Sequence, residues 1–116
     1  MWNSGGTFYE YSKGSNDTPM VFVHGVGLDH KSWQYLLEDF VGQTTLTYDL
    51  LGHGQTKRRL NRQSFEPFKA QLDLLFGELK LPEIILVGFS LGGLVAAHYA
   101  ASHLQTVRAF ILISAV

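Results

Sequence analysis

Short apolar runs alternate with segments of helical periodicity along this chain, and this alternation is the feature that most constrains its fold. The predicted strands comprise residues 7–11, 20–23, 44–50, 84–87 and 108–116. The predicted helices comprise residues 33–40, 65–80 and 91–104. Most of the strands are continuously apolar, which is typical of parallel strands that are buried on both faces. The pattern therefore predicts an α/β fold, a three-layer α/β/α sandwich around a mostly parallel sheet.

The composition fits one globular domain, since the 116 residues are 46% hydrophobic and 16% charged. The absence of cysteine excludes a disulfide, a thiolate metal site and a thiol nucleophile within these residues. A formal net charge of -1 gives no global attraction for nucleic acid or anionic lipid, so we expect neither nucleic acid nor a membrane as a partner. The first residues lack a signal-peptide pattern, and no apolar run reaches the roughly 18 residues of a membrane span. We therefore expect a cytoplasmic protein.

The segment Gly88-Phe89-Ser90-Leu91-Gly92 has the pattern G-x-S-x-G and lies between a predicted strand and a predicted helix. Such a turn projects a serine Oγ away from the sheet, and the flanking glycines let the backbone pass without clashes. Ser90 is therefore the candidate nucleophile. Because a helix N-terminus directs N–H groups at a reacting oxygen, the Leu91 N–H is the first candidate oxyanion donor. In the alternative interpretation, the glycines serve helix packing and Ser90 is an ordinary N-cap.

A second motif, HGVG at residues 24–27, follows another predicted strand. A turn of small residues at this place can direct a second backbone N–H at the same oxygen, and Val26 carries that candidate donor. The adjacent His24 is interpreted as a structural histidine rather than a catalyst. The motif does not continue as G-x-G-x-x-G, so a dinucleotide site is not predicted.

A third motif, YDLLGHG at residues 48–54, predicts the end of a strand and a tight loop. Its Asp49 and His53 have the residue types of an acid–base pair, but we favour a loop that is held together by their hydrogen bonds. The cationic run at residues 57–59 is interpreted as a solvated loop rather than an anion site.

The three motifs occur in the order VHGVGLDHKSW (residues 23–33), YDLLGHG (48–54) and GFSLGG (88–93), and in them the chain resembles the α/β-hydrolase fold family. The resemblance is to the cap-bearing esterase, lactonase and C–C hydrolase branch, and it covers the N-terminal half of that fold. It implies a serine hydrolase that forms an acyl-enzyme on Ser90 with a small-molecule ester, lactone or related carbonyl substrate. It also implies oxyanion donors at Val26 and Leu91, and neither a metal nor a cofactor.

The other members of a catalytic triad are missing from the sequence. A triad needs a histidine base and a carboxylate, and in this family both follow the serine. All ten acidic residues precede Ser90, and the last of them is Glu83. The later histidines, His98 and His103, lie on the helix that follows Ser90, and His98 is about 12 Å along its axis. We expect a single partial domain, 1–116, with the acid, the histidine and any cap beyond Val116, and very low activity of this chain alone.

The last predicted strand would lie at the edge of the sheet. Residues 110–116 would form an open, flat, apolar sheet edge, which favours pairing with another chain. We therefore predict that the isolated chain is marginally stable or self-associates. The alternative function is a non-catalytic half-domain that pairs through this edge with a complementary chain or with its own copy.

Overall fold

A mostly parallel sheet forms the middle layer of the computed structural model, which describes residues 1–15, 18–56 and 64–113. The strands of these residues are β1 (Tyr9–Ser12), β2 (Met20–Val23), β3 (Thr45–Tyr48), β4 (Ile84–Phe89) and β5 (Val107–Ile113). Their order across the sheet is β1-β3-β2-β4-β5, with β1 antiparallel to β3 and the other pairs parallel. All five predicted strands are present. The predicted cationic loop at residues 57–59 and the end of the last strand, residues 114–116, lie outside the described residues.

Strand β2 shows why its sequence is continuously apolar. Val21 and Val23 belong to a large core cluster on one face of the sheet, whereas Met20 and Phe22 belong to a smaller cluster on the other face. All four side chains are buried. Because successive residues of a strand point to opposite faces, a strand with a solvent-exposed face would alternate with polar residues. The predicted α/β sandwich is therefore confirmed.

Two helices cover the face with the larger cluster, namely α2 (Glu66–Leu79) and α3 (Leu91–Ser102). Helix α2 carries Pro67 in its first turn, where the missing N–H costs no hydrogen bond. It ends at Lys80, whose left-handed backbone (φ 57°) lets the N–H bond back to the last turn. Among the described helices, none is long and apolar enough to cross a membrane.

The segment predicted as one helix over residues 33–40 is helical throughout, but it is not one α-helix. The structure instead has a 3₁₀ turn at His30–Trp33, a single α-turn labelled α1 (Gln34–Leu37) and another 3₁₀ turn at Glu38–Phe40. A segment this short does not form a stable α-helix without tertiary support. Its shape is decided by packing, because the periodic apolar side chains contact the smaller cluster around Phe22.

Strand β5 is the outer strand at its edge of the described sheet, and its apolar side chains are exposed. Phe110, Ile111, Leu112 and Ile113 retain between 36% and 58% of their accessible surface. The strand pairs with β4 on one side, and no described strand pairs with its other side. An exposed apolar edge favours pairing with another strand. Self-association through this edge stays a prediction.

Candidate active site

Ser90 occupies a strained turn between β4 and α3. Its backbone angles are φ 57° and ψ -119°, and the only other described non-glycine residue with positive φ is Lys80. This region of backbone space costs a residue with a side chain about 1–3 kcal/mol, so the surrounding structure has to maintain it. The Ser90 side chain makes no capping hydrogen bond to α3. The interpretation of Ser90 as an ordinary N-cap is therefore wrong.

The glycines around Ser90 permit close contact between backbones. A Cβ atom on Gly88 would lie 2.6 Å from both the Gly92 carbonyl oxygen and the Gly93 Cα. A Cβ atom on Gly92 would overlap the carbonyl oxygens of Val23 and His24. Non-bonded contacts of a Cβ atom are essentially never this short, and the atoms in the way belong to the backbone, so glycine is required at both positions. The helix-packing interpretation of the glycines is thus correct as far as it goes, and it coexists with the strained turn.

The loop that follows β2, from His24 to His30, lies beside Ser90 and is called here the 24–30 loop. Its first part is a turn in which the Leu28 N–H donates to the Gly25 carbonyl oxygen at 3.2 Å. Gly27, the third residue of this turn, has a positive φ (76°), which glycine adopts without a steric cost. A Cβ atom on Gly25 would lie 3.2 Å from the Ser90 Cβ, so the turn and the serine are in contact range.

Two backbone N–H groups near the serine are left without a partner in the hydrogen bonds of the described residues. The Val26 N–H is at the second position of the turn, which the closing hydrogen bond does not use. Leu91 is the first residue of α3, and the first N–H groups of a helix have no acceptor within it. Both N–H groups therefore remain available to an oxygen of a ligand.

His24 is buried completely, and both of its ring nitrogens are engaged. Nε2 accepts a hydrogen bond from the Leu50 N–H at 3.0 Å, so the ring proton is on Nδ1 and is donated to the Gly25 carbonyl oxygen at 2.8 Å. Burial lowers the pKa of His24 below 6.5, and nearby His53 lowers it further. The neutral ring has no free nitrogen with which to accept a proton from Ser90. This agrees with its interpretation as a structural histidine.

Asp49 is paired with His30, a residue that the sequence did not single out. Oδ1 of the fully buried carboxylate accepts from both the backbone N–H and the Nδ1–H of His30, each at 2.7 Å. Oδ2 accepts from the Gln55 N–H at 2.8 Å. Burial raises the pKa of Asp49, but the hydrogen bonds from Gln55 and His30 outweigh it and hold the pKa below its ordinary value. A carboxylate between a buried strand and a glycine-rich loop needs hydrogen-bond donors. The position of Asp49 in the sequence was therefore the feature that could have predicted a buried donor such as His30.

His53 is not paired with Asp49, and each residue makes its own hydrogen bond within the loop, as the favoured interpretation predicts. Its Nδ1–H donates to the Leu51 carbonyl oxygen at 3.0 Å, which fixes the ring within its own loop. The ring centroid lies 5.1 Å from that of His24. Asp49 holds the same loop through the Gln55 N–H, while its other carboxylate oxygen binds His30.

The two later histidines pack against neighbouring rings. His98 is exposed and stacks on Phe65 with a centroid distance of 4.1 Å. His103 stacks on Tyr99 at 3.8 Å, and its Nε2 lies 3.1 Å from Asp73 Oδ1. These contacts agree with the packing and surface roles expected from the sequence.

Among the described residues, Asp29, His30 and Asp49 bring potential metal-ligand atoms within 4.8 Å of one another. His30 Nδ1 and Asp49 Oδ1 already bind each other, and Asp49 Oδ2 is bound to the Gln55 N–H. Asp29 Oδ1 accepts from the Lys31 N–H. The arrangement is explained by these hydrogen bonds and does not call for an ion.

Comparison with known proteins gives a consistent family. A model of the alpha/beta hydrolase fold matches residues 18–116. The chain is 32% identical to the pimeloyl-[acyl-carrier protein] methyl ester esterase of Proteus mirabilis, covering 91% of this chain and 40% of that protein. It is 31% identical to a non-heme chloroperoxidase of Kitasatospora aureofaciens, with the same two coverages. It is also similar to the structure of a thermophilic esterase from Thermogutta terrifontis, with 27% identity, a TM-score of 0.83, and 91% and 39% coverage.

The chain spans only part of these proteins, between 27% and 40% of the length of the curated relatives it matches. Their names include a synthase, esterases, lipases and a chloroperoxidase, so they do not indicate one activity or one substrate. The family model nevertheless matches well over half of the chain, and the sheet order and the strained serine turn described above are consistent with it. The chain belongs to the alpha/beta hydrolase fold family.

Proposed function

We propose that this chain provides the nucleophile and the oxyanion hole of a serine hydrolase that acts on an ester, lactone or related carbonyl substrate. The observation that carries the proposal is the strained backbone of Ser90 at the β4–α3 turn, next to a loop with an unused N–H. Strain of this kind persists only where the surrounding structure maintains it, and it is frequent at catalytic residues. The esterases among the similar proteins support the same reaction class.

The proposed chemistry has two steps. Ser90 Oγ attacks the carbonyl carbon, and the bond to the leaving alcohol breaks as the serine proton passes through a base to the departing oxygen. Water then cleaves the acyl-enzyme by the same route in reverse. In both steps the carbonyl oxygen becomes negative, and the N–H groups of Val26 and Leu91 stabilise it together with the N-terminus of α3.

The base is proposed to come from residues other than these 116. Both ring nitrogens of His24 are engaged, and Nδ1 of His30 binds Asp49. The His53 ring is fixed in its own loop by the bond to the Leu51 carbonyl oxygen, and His98 and His103 stack on neighbouring aromatic rings. The sequence has no acidic residue after Ser90 to hold a base in position. Without its base, a serine enzyme typically retains only about 10³–10⁴-fold catalysis over water. We therefore propose very low activity for this chain alone.

The test is hydrolysis of p-nitrophenyl acetate by the longest natural reading frame that contains this chain and, in parallel, by the 116 residues alone. The matched variants are Ser90→Ala and Ser102→Ala, the latter an exposed serine at the end of α3. We expect Ser90→Ala to abolish turnover by the longer protein and Ser102→Ala to leave it unchanged.

Two results would contradict the proposal. Equal rates for Ser90→Ala and the unmodified longer protein would show that Ser90 is not the nucleophile. A full esterase rate of the 116 residues alone, lost in Ser90→Ala, would refute an external base. It would direct attention to His53, whose Nε2 makes no hydrogen bond within the described residues.

A second function rests on strand β5. Its exposed apolar side chains fit a non-catalytic half-domain that pairs with a complementary chain or with its own copy. A defined dimer of the isolated chain, with no esterase activity in any longer reading frame, would favour this function over the first.

A further inference from the structure

We propose that His24 and His30 are positioning residues that together fix the direction of the Val26 N–H toward the oxyanion. This inference rests on the proposed function, because it assigns both histidines a role at that site. The two residues are the ends of one loop, and both are buried. Each is bound to one of two consecutive residues that follow β3, so the loop is fastened at both ends to the same short piece of backbone.

The first fastening is at His24. Its Nε2 accepts from the Leu50 N–H at 3.0 Å, and its Nδ1–H donates to the Gly25 carbonyl oxygen at 2.8 Å. The same carbonyl oxygen accepts the Leu28 N–H that closes the turn around Val26. The imidazole therefore connects the turn to the backbone after β3, and a displacement of the ring would displace the turn.

The second fastening is at His30. Its backbone N–H and Nδ1–H both donate to Asp49 Oδ1 at 2.7 Å. The other nitrogen, Nε2, lies 3.4 Å from the carboxylate of Glu10, which is largely exposed. The stronger bond is the one to Asp49, because it is shorter and buried, whereas solvent screens the attraction of the exposed Glu10 carboxylate.

The middle of the loop has little else to hold it. Val26 and Leu28 expose 67% and 40% of their surface, and one backbone hydrogen bond closes the turn. An oxyanion donor has to lie about 2.7–3.1 Å from the negative oxygen, and misplacement by about 1 Å can cost a hundredfold in rate. With so few contacts in the middle, the two ends determine where the Val26 N–H points.

Substitution by asparagine or by glutamine tests the two ring nitrogens of a histidine one at a time. The Asn amide reaches the position of Nδ1, and the Gln amide reaches the position of Nε2. At position 24 the bond that reaches the backbone after β3, the one from the Leu50 N–H, is made by Nε2. His24→Gln keeps this bond and His24→Asn loses it. At position 30 the corresponding bond, the one to Asp49, is made by Nδ1, so His30→Asn keeps it and His30→Gln loses it. The same two substitutions are therefore expected to have opposite effects at positions 24 and 30. This distinguishes an effect of the lost hydrogen bond from an effect of the residue type.

The four variants are measured beside Ser90→Ala in the product of the longest natural reading frame that contains this chain. The readouts are kcat and KM for p-nitrophenyl acetate, and the inhibition constant of an alkylboronic acid, which bonds to the serine Oγ and places an anionic oxygen among the oxyanion donors. We expect His24→Asn and His30→Gln to lower kcat about tenfold to hundredfold with little change in KM, and to weaken the boronic acid by a similar factor. We expect His24→Gln and His30→Asn to stay within about threefold of the unmodified protein.

A merely structural role would lower the melting temperature in all four variants and leave the kcat and the boronic acid affinity of the folded protein unchanged. That result overturns the inference, and so does a loss that follows the residue type rather than the bond. If a variant at one end of the loop does not fold, the two variants at the other end still test the inference. If Ser90→Ala retains activity, the proposed function itself fails. If Ser90→Ala is inactive while the four variants match the unmodified protein, only this inference fails.

Discussion

Replacing the carboxylate of Asp49 with an amide is the most informative single change for stability. Asp49 is fully buried and accepts three hydrogen bonds, two from His30 and one from the Gln55 N–H. In Asp49→Asn the remaining oxygen can serve His30, but the new NH₂ group then faces the Gln55 N–H, so two donors oppose each other. A Cβ atom on Gly54 would overlap this carboxylate, so the site has no room for the amide to move away.

The magnitude follows from these contacts. Losing the bond from the Gln55 N–H removes about 1.5–3 kcal/mol, the value for a hydrogen bond to a charged acceptor. The two hydrogen bonds from His30 now go to a neutral amide oxygen and not to a carboxylate, which removes about 1 kcal/mol from each. Burying an amide instead of a charge returns part of this loss, because desolvation opposes the ionised form of Asp49. We expect Asp49→Asn to lower the free energy of unfolding by about 2–4 kcal/mol.

The assay is equilibrium unfolding in urea at neutral pH, with Asp29→Asn as the matched control. Asp29 is partly exposed and caps the first 3₁₀ turn by accepting the Lys31 N–H, a role that asparagine fills equally well. The control should change the free energy of unfolding by less than about 0.5 kcal/mol. If Asp49→Asn is no less stable than Asp29→Asn, the carboxylate does not hold the surrounding segments and the reasoning is refuted.

The same carboxylate predicts a pH dependence. The folded-state pKa of Asp49 is lower than its ordinary value of 3.8. Its stabilising effect is therefore complete above that pH and is lost as the pH falls below 3.8 toward the folded-state pKa. The stability difference between the unmodified protein and Asp49→Asn should be constant near neutral pH and should shrink below pH 3.8. A difference that grows in acid would contradict the direction of the shift.

Two further predictions concern packing and the sheet edge. Gly92→Ala should lower the melting temperature, because the added Cβ overlaps two backbone carbonyl oxygens at the end of β2 and overpacking typically costs about 1–3 kcal/mol. Gly77→Ala in α2 meets no atom within 4 Å and should raise the melting temperature, so equal shifts in the two variants would refute the packing argument. Ile111→Lys on β5 should reduce self-association of the 116 residues, measured by size-exclusion chromatography with light scattering. The control Val41→Lys, at a position that is already 87% exposed, should not reduce it. Equal effects of the two variants would exclude the sheet edge as the contact.

Local patterns predict those parts of the structure that local forces decide. The apolar runs of β2 and β4 and the glycines around Ser90 act over a few residues, and the strands and the turn were predictable from them. The segment that became α1 was not, because its geometry depends on packing against the smaller core cluster and not on its own periodicity.

The pairing of Asp49 with His30 was also beyond a local pattern. The two residues are 19 positions apart and belong to different motifs, so no periodicity connects them. His53 is much nearer to Asp49 in the sequence than His30 is, yet its ring bonds to the Leu51 carbonyl oxygen and not to Asp49. Proximity along the chain is a poor guide where a tight loop directs neighbouring side chains apart.

What joins the three motifs into one site is the position of β2 in the middle of the sheet. Parallel neighbours end at the same edge, so the loops that follow them meet there. Because β2 pairs with β4, with Val23 opposite Gly88, the 24–30 loop comes against the Ser90 turn. Because β2 also pairs with β3, the same loop reaches Asp49 on its other side. A sheet in which β4 paired directly with β3 would retain every motif and would lose the contact between the loop and the serine, so the strand order, rather than the spacing of the motifs, creates the site.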